Sequence, residues 1–376
     1  MDKTGFSREL LGQGVDQRIA YFKNYTMAHP RLLDVYLSLK NVIYHSPASL
    51  IFVFGPTGVG KTTLLRRLIQ KIIEAALPNL EFDPGRIPIV GIEAMSPEFS
   101  QFDWKDFYIR TLKALNDPFI ERKDSYRGSK LSLRHAVESA LINRHPDAFY
   151  IDEAHHLAKL ASGRKLKDQP EALKSLSTLA SVKIIMVGTY DLMPLIDLGD
   201  QLCRRSKTVH FSRYNAECES DVYKNILQTF QNHLPIAESP ELAPHWEYFY
   251  ERSIGCVGIL KDWLLETLSV VLTTNEKAST ITLKDLKRHE PKLRECMVML
   301  KAAQKGESQL RESQSELEEL RAALKLSRKS PLQNSEMASI ALEQQQTAPK
   351  SRRQSGQVGQ SNPRRYEVGH NEPTKC

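Results

Sequence analysis

The sequence predicts a three-layer α/β fold on a parallel sheet, followed by a small helical domain and a basic tail with too little apolar content to fold alone. Three observations predict it. A Gly-rich loop lies between a strand and a helix, a second apolar strand downstream ends in two acids, and the patterning turns purely helical near residue 215. The loop, Gly55-Pro56-Thr57-Gly58-Val59-Gly60-Lys61-Thr62-Thr63, has the form G-x-x-x-x-G-K-[ST]. It follows the apolar run Leu50–Phe54, and Leu64, Leu65, Leu68, Ile69 and Ile72 then recur at helical spacing.

Taken in order, residues 1–46 read as an N-terminal extension with one amphipathic helix from Pro30 to Tyr44. The α/β core spans 47–214, with strands at Leu50–Phe54, Ile87–Glu93, Ala148–Ile151, Lys183–Gly188 and Thr208–Phe211 separated by helical segments. Residues 215–300 read as a helical lid, with helices near Ser220–His233, Pro244–Ser253 and Val257–Thr273. A further helix begins after a threonine or serine cap around Thr280. A charged helix is expected over 301–327, centred on Gln309 to Leu326, and a disordered tail over 328–376. A helical lid after such a core is the two-part plan of AAA+ P-loop NTPases.

The motifs name a chemistry. Glycines let backbone N–H groups turn toward phosphate oxygens, and the helix N-terminus adds a favourable dipole. Lys61 would reach the β- and γ-phosphates of ATP, and Thr62 would ligate Mg²⁺. In Ala148-Phe-Tyr-Ile-Asp152-Glu153-Ala-His155-His156 the strand delivers two carboxylates to its C-terminal edge. Asp152 would hold Mg²⁺ through water, and Glu153 would polarise the attacking water. The adjacent histidines suggest a metal site, but on a helix they would point apart, so they read as surface residues. Thr189, ending Lys183–Thr189, is either a hydroxyl that senses the γ-phosphate or the N-cap of the next helix. Arg204 and Arg205 precede the last core strand, where a ring ATPase places an arginine that completes its neighbour's site; otherwise they complement a helix dipole.

Composition bounds the rest. With 376 residues and 41% hydrophobic content, the chain can bury one large core or two smaller ones. No apolar run is long enough to cross a bilayer, and the first residues have no signal-peptide core. The five cysteines are scattered, which suits a reduced cytoplasm. Net charge is +7, and from Arg328 onward eight basic residues face four acids. Arg352-Arg353 and Arg364-Arg365 are the candidate phosphate contacts in that tail.

Gly55–Thr62, Ile151-Asp-Glu-Ala-His-His156, Val187-Gly-Thr189 and Gly255-Cys-Val-Gly-Ile-Leu-Lys-Asp-Trp263 together resemble the TniB/TnsC family of AAA+ ATPases, which regulate DNA transposition. The resemblance covers about residues 30–290, and the lid string is its most specific part. It implies an ATP-dependent homo-oligomer, a ring or a filament with a hexamer or heptamer per turn, around duplex DNA. It also implies a DDE transposase and a TniQ-like target selector as partners, and no membrane. DNA contacts would fall on Lys105, Ser129, Lys130 and Lys159, whose charges and hydroxyl suit phosphate oxygens without reading bases. One departure is Ile259, where many AAA+ lids carry a sensor-2 arginine; Lys261 is one helical step away. Two other readings share the core. An origin-loading replication initiator would append a winged-helix domain, for which strand signals after residue 291 are too few. A secretion-complex ATPase would bring a membrane or envelope segment.

Overall fold

A computed structural model describes residues 5–97, 102–118, 120, 128–158, 164–196 and 200–326. Lys159, Arg127 and the whole basic tail lie outside them. The chain divides into two units, residues 1–311 and 312–376.

In the first unit, helices α1 (Val15–Asn24) and α2 (Pro30–His45) precede β1 (Leu50–Phe54) and α3 (Lys61–Leu80). There follow β2 (Ile89–Glu93), α4 (Trp104–Ala114), α5 (Lys130–Arg144), β3 (Ala148–Asp152), α6 (Arg164–Ala180) and β4 (Lys183–Gly188). Short helices α7 (Met193–Ile196) and α8 (Asp200–Arg205) lead to β5 (Ser206–His210). The five strands form one parallel sheet in the order β2-β3-β4-β1-β5. Central strands of a parallel sheet are covered on both faces, so they must be apolar throughout, and β1 is buried at every residue. Ile51, Val53, Ile185 and Val187 pack against α2 and α3, while Leu50, Phe52, Ile184 and Met186 pack against α4, α5 and α6.

Three strands differ at their ends from those expected, and β3 runs one residue further, to Asp152. The second strand starts at Ile89 because Pro88 has no N–H for the ladder. The last strand spans 206–210, earlier than expected, because it is an edge strand whose outward Lys207 and Thr208 are exposed and give no apolar signal.

The lid comprises α9 (Ala216–His233), α10 (Trp246–Ser253), α11 (Val257–Thr274) and α12 (Leu283–Arg288), and α12 is capped by Thr282 with Asp285 reciprocating. Phe22 of α1, expected to be mere extension, is fully buried in the same cluster as Phe230, Phe249, Leu264 and Leu268. Arg18 reinforces it by donating to the carbonyls of Pro235 and Glu276. The chain thus passes from the lid at α1 to the core and back to the lid at α9. Beyond the lid, α13 (Leu293–Gln309) runs through the segment expected to start a separate charged helix. That expected helix is broken at 310–313, and α14 (Gln314–Ala323), in the second unit, starts afresh from the capping box of Ser313 and Glu316.

The crossing segments are clasped together. His29 Nδ1 is hydrogen-bonded with the Tyr214 hydroxyl at 2.9 Å and accepts from the Leu32 N–H at 3.3 Å. A proton on Nδ1 would cost the bond from the Leu32 N–H. Burial, with the nearby Arg31 charge, pushes the imidazole pKa down to about 4. Because the unfolded chain takes up the proton first, stability falls as pH drops from about 6.5 toward 4, by about 2 kcal/mol at pH 5. His29→Asn keeps an acceptor at the cap without titrating. Thermal melts at pH 7 and 5 should show a smaller loss in that variant; an unchanged loss would exclude His29 as its source.

Candidate nucleotide site

The phosphate loop is shaped by what its glycines leave out. A Cβ at Gly55 would lie 2.1 Å from the Phe211 carbonyl oxygen, so only glycine lets the end of β5 come this close. Gly60 has φ +112° and begins α3 from the left-handed region that glycine adopts freely. Lys61 is only 9% exposed, and its Nζ donates to the carbonyls of Gly55 at 3.0 Å and Pro56 at 2.8 Å. The loop therefore wraps around its own ammonium. Burial lowers the Lys61 pKa, while Glu153, Cys256 and Asp152 counteract it. Thr62 and Thr63 follow in the first turn of α3, with Thr62 exposed.

Asp152 ends β3 beside Glu93 of β2. Burial raises its pKa, partly offset by the Glu153 N–H donated to Oδ1 at 2.9 Å. Glu153 adopts a left-handed backbone, φ 50°, and its carboxylate lies 3.0 Å from His155 Nδ1. The two histidines do not point apart. They sit on a 3₁₀ turn, Ala154–Leu157, with ring centroids 4.3 Å apart, and the donor atoms of Glu153, His155 and His156 lie within 4.8 Å of one another. The expectation failed because it assumed α-helical spacing. A carboxylate with two imidazoles is a donor set that could hold a transition metal.

Thr189 occupies the cap position of the turn Tyr190–Leu192 without capping it, and its hydroxyl donates to Asp191 at 3.3 Å. It shares a cavity of about 240 Å³ with Pro56 and Thr57 of the loop. Arg204 and Arg205 are exposed at the opposite edge. Arg205 accepts at its carbonyl from the Ser49 N–H, just before β1, so a whole strand separates it from the loop: about 15 Å at 3.3 Å per residue. They cannot serve their own loop.

Lys105 and Lys130 lie at the N-termini of α4 and α5, and Ser129 caps α5 through its hydroxyl. Arg144, ending α5, donates to the carbonyls of Leu115 and Asn116 just past α4, so these helices end together. The Arg144 carbonyl also meets Ile87 N–H below β2, which places the helix starts toward the loop's edge of the sheet.

The lid meets the loop directly. Gly258 N–H donates to the Gly58 carbonyl at 2.8 Å, and a Cβ on Gly258 would lie 2.4 Å from that oxygen. Ile259 stands over Gly58, where a Cβ would lie 2.4 Å from Ile259 Cγ1. Lys261 turns away, donating to the Lys23 carbonyl at 2.8 Å. Sequence reasoning missed Arg213, which donates twice to Glu307 of α13, at 2.8 and 3.1 Å. Burial alone would lower the Arg213 pKa; the bonds to Glu307 and its charge more than offset this and leave it raised. No local pattern links residues so far apart in sequence.

Residues 44–196 match the family model described as the AAA domain. The match covers less than half of the chain, and over those residues the chain is similar to an AAA domain. The first unit has the AAA+ P-loop NTPase fold and similar solved structures. The Aeropyrum pernix ORC1 protein in complex with DNA is 14% identical, covering 77% of this chain and 70% of its own at a TM-score of 0.50. The Aeropyrum pernix ORC2 protein, in ADPNP–ADP complexes, is 14% identical over 72% and 70% at 0.49. A Walker-type ATPase of Pyrococcus abyssi is 16% identical over 81% and 80% at 0.45. At these identities the likeness bears on fold alone. No curated protein matches the chain. No described helix is long and apolar enough to cross a membrane.

Proposed function

We propose that the chain is an ATP-switched regulator of DNA transposition that oligomerises on duplex DNA and links a TniQ-like target selector to a DDE transposase. One observation carries the reading. The loop, the acids and Thr189 gather at one edge of the sheet, whereas Arg204 and Arg205 stand at the other. Such a site is completed by a second copy whose arginines approach from outside. Thr62 and Asp152 would hold Mg²⁺: one offers a free-facing hydroxyl in the first turn of α3, the other a carboxylate at the sheet edge. The ion would supply charge neutralisation across the phosphates. Glu153 would orient water once its carboxylate leaves His155.

DNA would run past the starts of α4 and α5, where Lys105, Ser129 and Lys130 meet phosphates. Each phosphate neutralised contributes about 0.9 to the salt slope, so Lys105→Ala with Lys130→Ala should flatten it by about two. Affinity should fall similarly on unrelated duplexes while ATP binding stays normal. Titrations in ATP and varied salt check this, and an unchanged slope would move the DNA surface elsewhere. Imaging with ATP, DNA and the transposase tests the wider role; assembly only at a replication origin sequence would favour an initiator.

A further inference from the structure

The Arg213–Glu307 pair borders the nucleotide site. Arg213 comes two residues after Phe211, whose carbonyl touches Gly55. Its guanidinium also donates to the Ile254 carbonyl at 3.4 Å, four residues before the Gly258 whose N–H meets Gly58 of the loop. The lid supplies no competing cation, because Ile259 covers Gly58 and Lys261 is engaged at Lys23. Arg213 is 17% exposed and Glu307 19%.

Glu307 is placed by the docking of α13. A Cβ at the preceding Gly306 would lie 2.1 Å from the Tyr190 ring, so the helix reaches this depth only with glycine there. Tyr190 directly follows Thr189. Val298, Met299, Ala302 and Ala303 of α13 face Pro56, Thr57 and Thr189 across the same 240 Å³ cavity. A guanidinium so little exposed needs an anion, and exchanging a carboxylate for a phosphate preserves that compensation.

Building on the nucleotide-site reading above, we infer that Arg213 is a γ-phosphate-binding residue held in reserve by Glu307, and that undocking of α13 releases it. It takes the place of the arginine that the lid lacks. The test uses the full chain with Mg²⁺ and fluorescent ATP and ADP. Glu307→Ala should tighten ATP about tenfold, one charge-assisted contact, and leave ADP unchanged. Adding Arg213→Ala should cancel the gain, and Arg213→Lys should keep part of it. Gly306→Leu pushes α13 off Tyr190 without touching either charge and should act in the same direction. A purely structural pair would move ATP and ADP together, and that result, or a gain that survives Arg213→Ala, overturns this inference alone. A wild-type chain binding neither nucleotide overturns the nucleotide site and this inference with it.

Discussion

Lys61→Ala is expected to weaken ATP binding by at least about 100-fold, the loss of the charged hydrogen bonds that one buried ammonium makes to phosphate. Among the described residues the two cations nearest the loop from the lid side are otherwise engaged. Lys261 is bound to the Lys23 carbonyl and Arg213 to Glu307. Assembly on DNA should fail with it. Because Lys61 also braces the carbonyls of Gly55 and Pro56, a thermal melt is needed to show that the fold persists. Mixing this variant with Arg204→Ala,Arg205→Ala protein then asks where the arginines act. One partner retains an intact loop and the other intact arginines, so turnover should return in part. ATP affinity like that of the wild type would sink the assignment of the loop, and no recovery at any mixing ratio would sink the trans arginines.

Glu153→Gln should cut turnover by about 10²–10⁴, the usual contribution of a general base, while ATP still binds. The amide keeps the shape at the end of β3 but cannot accept the proton of the attacking water. Oligomers on DNA should then outlive those of the wild type, because hydrolysis no longer releases them. Single-turnover hydrolysis and dissociation from immobilised duplex measure the two effects. Turnover at the wild-type rate would move the base elsewhere.

Much of the core was legible because its signals are local. A buried strand reads as an unbroken apolar run, and the Gly-rich loop between β1 and α3 is set by residues adjacent in sequence. The edge strand β5 was displaced in the reading because its exposed Lys207 and Thr208 carry no hydrophobic pattern. The histidine pair was misjudged because a 3₁₀ turn was read with the angles of an α-helix. Long-range contacts were invisible. Arg213 meets Glu307, and Gly258 meets Gly58, through folding that no window of sequence contains. Gly258 gave a weak hint, since a glycine at a helix start invites close backbone approach.

The burial of Phe22 among the lid helices has a consequence for how the chain comes to be folded during synthesis. Its ring contacts Phe230, with centroids 6.1 Å apart, yet 208 residues separate the two, from 22 to 230. At about 5–20 residues per second, α1 waits some ten to forty seconds for the surface it packs on. The sheet, made entirely of residues between them, is translated in that interval. The ATPase core is thus an insertion within a discontinuous lid, and the lid closes its own core only after the nucleotide loop has left the ribosome.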